Sequence, residues 1–327
     1  MIIEHFKNKT ILITGANGLI GGALAEYFYK LNIKNNLNIK LILTSLSNFS
    51  KAKRIKHLIK PNEDTTYISH DMSTPWVYTS YTFDYVFYCS GYCQPRKFNE
   101  AFEATCFINT VGLNSILKHT KNSLTKCTVC YMSSSEIYGD AGYLIEETNM
   151  GKYSVENNRS IYITSKRLGE SIMLRYKDSV NVKIMRVSLA YGPGMLWTDD
   201  RVMQDFIRKS KKGIINMHDD GSDIRCYNYI DNCIEMILNA TIKGKEKIYN
   251  IANPSSQITI YELAKLIKEV FNPKCEIVKG GKKTSNSPNV VSMSIERYTQ
   301  EFGIPKFTHI HDGLKEIKKY FKSKGLL

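Results

Sequence analysis

Short apolar runs alternate with amphipathic stretches over residues 1–190. Six runs, bounded by turn residues and rich in β-branched and aromatic side chains, predict strands: Thr10–Thr14, Ile39–Thr44, Thr66–Ser69, Tyr85–Cys89, Lys126–Met132 and Val182–Arg186. Apolar positions at helical spacing predict helices over Leu19–Leu31, Asn99–His119, Ile161–Tyr176, Ile230–Ala240 and Ile260–Phe271. Alternation of buried strands with helices indicates an α/β fold, a doubly wound parallel sheet covered on both faces.

The composition is that of a folded protein. Hydrophobic residues make up 43% and aromatic residues 11% of the 327 residues, which excludes a disordered chain. No apolar run approaches the ~20 residues that span a bilayer, and the first ten residues lack the apolar core of a secretory signal. The eight cysteines are spread over the chain, as expected for reduced thiols. We therefore expect a cytoplasmic protein with no membrane partner.

The formal net charge of +14 raises nucleic acid as a partner. The basic clusters are dispersed and match no nucleic-acid-binding motif, so we expect no nucleic-acid partner. Part of the positive charge can instead serve an anionic substrate. Cys127 and Cys130 form a C-x-x-C inside a predicted strand with no second ligand pair, so we expect no metal site.

A closely spaced glycine series follows the first predicted strand. In "ILITGANGLIGG", Gly15, Gly18 and Gly21 lie between an apolar strand and a helix. Glycine allows the backbone to turn tightly and approach a pyrophosphate, while the helix N-terminus directs unpaired N–H groups at it. The arrangement predicts a dinucleotide site, with a tight strand–helix turn without ligand as the alternative.

The second and third strands bear on the identity of the dinucleotide. An acid at the end of the second strand normally accepts hydrogen bonds from the adenosine ribose, but here Thr44 or Ser45 takes that place. The basic residues Lys51, Lys53 and Arg54 follow closely, which leaves NADP open beside NAD. Asp71, after the third strand, is either an acceptor for the adenine amino group or a simple turn residue.

Polar residues at a strand end and on a later helix suggest catalysis. "CYMSSSEIYGD" places Ser134, Ser135 and Glu136 at the carboxyl end of a buried strand, the edge where open α/β sheets bind ligands. Tyr162 and Lys166 lie one helical turn apart on one face. A free tyrosine has a pKa of about 10, but a neighbouring ammonium and a positive nicotinamide both favour phenolate. Tyr162 then takes a hydroxyl proton while Ser134 bonds the reacting oxygen.

These motifs together resemble the extended short-chain dehydrogenase/reductase family, in particular its NAD-dependent nucleotide-sugar epimerases, dehydratases and decarboxylases. The resemblance covers nearly the whole chain. It is carried by the glycine series, Tyr162 and Lys166, and the segments "INTVGL", "SSSEIYG", "MRVSLAYGPG", "DDGSDIRCYNYIDN" and "YNIANP".

The resemblance implies a Rossmann domain over residues 1–190, with a returning segment near 225–252, and a smaller nucleotide-sugar domain over 191–327. It implies a homodimer, a nucleotide-diphosphate sugar as substrate, and a role in polysaccharide biosynthesis. Ser134, Glu136, Tyr162 and Lys166 take catalytic positions. NAD is expected against Gly15, Asn17, Gly18, Leu19, Ile20, Gly21, Asp71, Met72, Ser90, Tyr162 and Lys166. Substrate is expected against Gln94, Ser135, Arg159, Arg201 and Arg225, with Arg225 facing the diphosphate.

Glu136 narrows the reaction within the family. The resemblance implies that 4,6-dehydratases and UDP-glucuronate decarboxylases carry this glutamate, whereas galactose-type epimerases have a non-acidic residue. "RSIYITSKR" and "DDRVMQDFI" look most like the decarboxylases, while "YCSGYCQPRKF" (Tyr88 to Phe98) departs from them. We expect transient C4 oxidation leading to decarboxylation or dehydration. A 4-epimerase, an NADPH-consuming ketosugar reductase, and a non-catalytic dinucleotide-binding regulator are the alternatives.

Overall fold

A parallel sheet forms the centre of the protein. The computed structural model describes residues 2–60, 64–123, 126–281 and 288–327. The strands are β1 (Thr10–Thr14), β2 (Lys40–Ser45), β3 (Thr65–Ser69), β4 (Tyr85–Tyr88), β5 (Thr128–Ser134), β6 (Asn181–Val187), β7 (Leu189–Tyr191), β8 (Ile214–Asn216), β9 (Ile224–Tyr229), β10 (Ile248–Ile251), β11 (Gln257–Thr259) and β12 (Glu276–Val278). β5 is buried at every position, as expected for a strand covered on both faces.

Helices follow or separate these strands. They are α1 (Leu19–Asn35), α2 (Pro95–Glu100), α3 (Phe102–Phe107), α4 (Leu113–Thr120), α5 (Ser160–Arg175), α6 (Val202–Lys211), α7 (Ile230–Lys243), α8 (Ile260–Phe271), α9 (Glu296–Phe302) and α10 (Ile310–Ser323). No helix among the described residues is long and apolar enough to cross a bilayer.

The strand order of the large sheet is β10-β6-β5-β4-β1-β2-β3. Its neighbouring strands all pair in parallel. From β1 the chain runs outward through β2 and β3, then returns to build β4, β5 and β6 on the other side. The direction of winding therefore changes between β1 and β4, and open α/β sheets bind ligands beyond the strand ends at such a point.

The predicted doubly wound sheet is confirmed, and all six predicted strands are present with bounds that differ by at most two residues. The seventh strand, β10, lies inside the predicted returning segment. A smaller sheet joins β11, β9 and β7, and β12 pairs with β8. The division of the chain at residues 190 and 191 stays a prediction. The segment "KGGKKTSNSPN" (Lys279 to Asn289) also predicts a loop from its sequence, and part of it lies outside the described residues.

The single helix predicted over Asn99–His119 is wrong. The chain breaks at Ala101 and forms α3, a π-helical turn over Ile108–Gly112, and α4. In this turn Gly112 meets another segment of the chain so closely that a Cβ there would lie 1.8 Å from the Met72 carbonyl oxygen. The Asn109 side chain donates to the Thr105 carbonyl at 2.9 Å. Apolar spacing alone does not reveal such a bulge.

A buried ion pair lies beside β5. Arg186 on β6 and Glu170 on α5 are 2.7 Å apart and both are buried. The Glu170 carboxylate also accepts from the Ser133 hydroxyl at 2.5 Å, and the Arg186 guanidinium donates to the Tyr138 hydroxyl at 3.0 Å. With its hydrogen bonds satisfied, the pair avoids the cost of an uncompensated buried charge. It connects α5 to the ends of β5 and β6.

Candidate functional site

A cavity of about 760 Å³ opens beyond the carboxyl ends of the central strands, at the point where the winding changes direction. It lies within the size range of small-molecule sites. Most of the residues predicted to form a site line this cavity: Gly15, Gly18, Leu19, Ile20, Gly21, Ser90, Gln94, Ser134, Ser135, Glu136, Arg159, Tyr162, Lys166, Arg201 and Arg225. Residues far apart in the chain are therefore brought together as the sequence predicts.

The glycine turn is packed so closely against neighbouring backbone that it leaves no room for side chains at Gly15 and Gly21. Gly15 has φ +62°, and a Cβ there would lie 2.8 Å from the Cys89 carbonyl oxygen. A Cβ at Gly21 would lie 2.5 Å from the Gly15 carbonyl oxygen. The first residue before α1 is Gly18, which makes no side-chain cap, so no side chain competes with an anion for the N-terminal N–H groups of the helix. The turn fits the cofactor.

Three predicted cofactor residues do not line the cavity. The Asn17 side chain accepts from the Arg54 backbone N–H at 3.1 Å. Asp71 accepts from the Ser73 N–H at 2.8 Å, which is the alternative role of a turn residue. Met72 is buried. Their assignment to the cofactor stays a prediction.

The end of β2 presents hydroxyl groups where a ribose-binding acid is usual. The Ser45 hydroxyl is 2.7 Å from the Tyr67 hydroxyl. The Arg54 guanidinium donates to the Gly18 carbonyl at 2.9 Å and to Glu26 at 3.3 Å. Arg54 is therefore held against the glycine turn by groups of the protein itself.

Tyr162 is buried at the cavity, with 4% of its surface exposed. Burial raises the pKa of Tyr162 well above its ordinary value. Cys93 and the Glu136 carboxylate add to this rise, and the Ser134 side chain opposes it. The protein alone therefore stabilises the protonated form of the phenol.

The Lys166 ammonium is hydrogen-bonded to the backbone of β5. It donates to the Met132 carbonyl oxygen at 2.7 Å and lies 4.7 Å from the centre of the Tyr131 ring. Burial lowers the pKa of Lys166 to about 8. The expectation that this ammonium lowers the pKa of Tyr162 is not met by the protein alone, because burial of the phenol dominates and the ammonium is bonded elsewhere.

Glu136 forms an ion pair at the floor of the cavity. Its Oε1 accepts from Arg159 Nη1 at 2.8 Å. Its Oε2 is buried and has no hydrogen-bond partner within the described part of the chain. The Glu136 backbone N–H donates to Ser134 Oγ at 3.2 Å, which ties the carboxylate to the end of β5. One oxygen is thus held by a cation, and the other is buried without a partner in that part of the chain.

The remaining arginines of the cavity are also paired. Arg201 holds Asp199 through two nitrogens, with the shortest distance 2.7 Å, and Arg225 Nη2 lies 2.9 Å from Asp223. Basic residues at the lining are Arg96, Lys97, Arg159, Lys166, Arg201 and Arg225. Acidic residues there are Glu136, Asp199, Asp200, Asp205, Asp219 and Asp223. The two sets balance, so the positive charge of the chain is not concentrated in the cavity.

Sequence reasoning missed three residues that bear on the site. Cys93 raises the pKa of Tyr162. The Phe98 ring stacks on the Tyr162 ring, with centres 4.8 Å apart and planes at 12°. Asp199 holds Arg201. Cys93 and Phe98 lie in the segment Tyr88 to Phe98. The only signal in the sequence that pointed to them was the departure of this segment from the decarboxylase pattern.

Comparison with known proteins agrees with this geometry. The model of the NAD dependent epimerase/dehydratase family matches residues 11–252. UDP-glucuronic acid decarboxylase 5 of Arabidopsis thaliana is 26% identical over 322 residues, covering 97% of this chain and 90% of the relative. UDP-glucuronic acid decarboxylase 1 of Danio rerio is 24% identical over 325 residues, covering 98% of this chain and 74% of the relative.

Solved structures share the fold at lower identity. UDP-glucuronic acid 4-epimerase from Bacillus cereus, in complex with UDP-glucuronic acid and NAD, superposes with a TM-score of 0.81. The two chains are 20% identical, and the match covers 96% of this chain and 99% of the other.

Proposed function

The chain belongs to the NAD-dependent epimerase/dehydratase family, and from that premise we propose that it decarboxylates UDP-glucuronic acid through transient oxidation at C4. The observation that carries this proposal is the meeting of Ser134, Glu136 and Tyr162 in one cavity with the glycine turn. The curated relatives named as UDP-glucuronic acid decarboxylases support it, because they match nearly the whole chain.

Tyr162 takes the proton of the C4 hydroxyl, and Ser134 donates a hydrogen bond to the same oxygen. Bound NAD supplies the chemistry of hydride acceptance and return at C4, and its positive ring favours the tyrosine phenolate. This contribution matters here because burial raises the pKa of Tyr162. Lys166 still carries its charge at neutral pH, since its pKa is about 8, and it faces the same cavity.

Oxidation at C4 turns the sugar into a β-keto acid. The C5–C6 bond then breaks, carbon dioxide leaves, and the electron pair moves to the C4 oxygen as an enolate. Tyr162 and Ser134 bond this oxygen, and a proton must be added at C5. We assign that proton transfer to Glu136, because Glu136 lines the cavity, its Oε2 has no hydrogen-bond partner among the described residues, and Arg159 fixes its other oxygen. Arg225 is assigned to the diphosphate of the substrate.

The function is tested by incubating the purified protein with UDP-, GDP-, CDP- and dTDP-sugars, UDP-glucuronic acid among them, and weighing the products by mass spectrometry. We expect UDP-glucuronic acid to lose the mass of carbon dioxide. Loss of the mass of water from a neutral hexose nucleotide indicates a 4,6-dehydratase instead. Steady consumption of added NADPH indicates a reductase, and a complete lack of turnover supports the non-catalytic regulator.

A 4-epimerase is the second candidate. Epimerisation at C4 needs Tyr162 and Ser134 but no proton transfer at C5, and the solved structure with the same fold is a UDP-glucuronic acid 4-epimerase. Product of unchanged mass with an altered C4 configuration, read by proton NMR, identifies this reaction.

The protein is further proposed to be a cytoplasmic homodimer that supplies a polysaccharide pathway. Its eight cysteines are unpaired, which suits a reducing compartment. Apolar side chains are exposed along α3, the π-helical turn and α5, namely Phe107, Val111 and Leu168. Phe107 and Val111 are one helical turn apart, and α5 packs against the π-helical turn. An exposed apolar strip of this kind fits a second copy of the chain.

The dimer is tested by light scattering after gel filtration. We expect the wild type to have twice the chain mass. Val111→Glu combined with Leu168→Glu is expected to give a monomer, because two carboxylates would be buried at a shared face. Ile304→Glu serves as the control, since Ile304 is 82% exposed elsewhere on the surface. A monomeric wild type excludes this assembly.

A further inference from the structure

We propose that Phe98 is a positioning residue that holds the Tyr162 ring in place and closes it off from water. The inference rests on the proposed function, in which Tyr162 is the base. The two rings are stacked at 4.8 Å with planes 12° apart, and Phe98 is only 1% exposed. Stacked aromatic pairs contribute stability beyond the burial of their surface. The stack therefore restricts both the tilt of the phenol and the direction of its hydroxyl.

The backbone of Phe98 is itself fixed. Its N–H donates to the Gln94 carbonyl at 3.0 Å, and its carbonyl accepts from the Thr105 hydroxyl at 3.3 Å. The Gln94 side chain lowers the pKa of Asp199, the residue that holds Arg201. Gln94, which directly precedes α2, and Asp199 both line the cavity. A ring anchored in this way is a rigid support for its stacking partner.

The polar groups around Tyr162 leave its ring face to Phe98. Ser134, Cys93 and Glu136 act on the pKa of the Tyr162 hydroxyl. On the other neighbouring elements, Tyr131 and Arg201 interact electrostatically with Tyr162. The ring that stacks on Tyr162 belongs to Phe98 and to none of these groups. Replacing the Phe98 ring removes cover from the phenol without removing any of these polar groups.

Burial determines the direction in which the pKa of Tyr162 changes when Phe98 is replaced. Burial disfavours the phenolate and raises the pKa of Tyr162. A smaller side chain at position 98 admits water, stabilises the phenolate and lowers the pKa. In Phe98→Leu we expect the Tyr162 titration to move down by about half a unit or more, and kcat to fall about tenfold because the hydroxyl is less well oriented.

The titration is measured by NMR on NAD-saturated full-length protein labelled with carbon-13 at tyrosine Cζ. The Tyr162 signal is identified by its absence from Tyr162→Phe. Phe98→Tyr keeps the ring and is expected to restore the wild-type titration. Phe102→Leu is the matched control, because Phe102 is 55% exposed and does not line the cavity. If Phe98→Leu does not fold, Phe98→Met fills the space with a flexible chain and has the same expected direction.

A folded, NAD-binding Phe98→Leu or Phe98→Met protein with an unchanged Tyr162 titration overturns the proposal. A titration that moves equally in Phe102→Leu also overturns it, because the effect then does not depend on the stack. The NMR measurement needs no sugar nucleotide. If the proposed decarboxylation fails, the titration of Tyr162 in the Phe98 variants can still be measured. Failure of the proposed function is thereby distinguished from failure of the inference about Phe98.

Discussion

Tyr162→Phe is expected to lower turnover of UDP-glucuronic acid by about 10²–10⁴ while leaving the cofactor bound. The substitution removes only the phenolic oxygen. The ring that stacks on Phe98 at 4.8 Å stays, and the glycine turn, which connects β1 to α1, is unchanged. The loss therefore reports the missing proton acceptor. Turnover is measured as carbon dioxide released, and bound NAD is measured after denaturing the washed protein.

Tyr143→Phe is the control for Tyr162→Phe. Tyr143 is 60% exposed and does not line the cavity, so its variant is expected to match the wild type in both measurements. A Tyr162→Phe protein with full turnover would remove the phenol from the mechanism. A variant that lost both turnover and NAD would instead show damage to the cofactor site.

The sheet could be predicted from the sequence because its strands are buried on both faces. Such strands are read as apolar runs, and β1 to β6 lie where those runs occur. The break in the predicted helix Asn99–His119 could not be read in the same way. It depends on Gly112 packing against the Met72 carbonyl, a contact between segments that no local pattern contains.

The residues of the site were predictable where a local pattern carries a function. Glycines between a strand and a helix, and a tyrosine and lysine one turn apart, are visible in the sequence. Their electrostatics were not, because the pKa of Tyr162 is set by burial, and burial depends on Phe98 and Cys93 from a separate segment. The direction of the Lys166 ammonium, towards the Met132 carbonyl, is likewise a product of packing.

The balance of charge in the cavity also could not be read from composition. The chain carries a net charge of +14, yet acidic and basic side chains at the lining are equal in number. Each of Arg159, Arg201 and Arg225 has a carboxylate partner within the protein. An anionic substrate must therefore share these arginines with acids already in place, and removing one such acid changes both binding and chemistry.

Glu136→Gln removes one of the acids that balance the charge of the cavity. Glutamine has nearly the same shape as glutamate, and its side-chain oxygen can still accept the hydrogen bond from Arg159, which is 2.8 Å long in the wild type. It cannot transfer a proton at C5. It also leaves the Arg159 charge without a negative partner. We expect carbon dioxide release from UDP-glucuronic acid to fall by about 10²–10⁴, with no rise in KM, because the unpaired guanidinium attracts the anionic sugar.

The same variant separates the decarboxylase from the 4-epimerase. In deuterium oxide the wild-type decarboxylase is expected to place one deuterium at C5 of the product, in a single configuration, and Glu136→Gln is expected to lose this transfer. An epimerase places no deuterium at C5 and should keep activity within about tenfold, since its chemistry is confined to C4. Glu146→Gln, an exposed residue outside the cavity, is the matched control. Wild-type carbon dioxide release in Glu136→Gln would contradict the role assigned to Glu136, because proton delivery at C5 would then have to come from elsewhere.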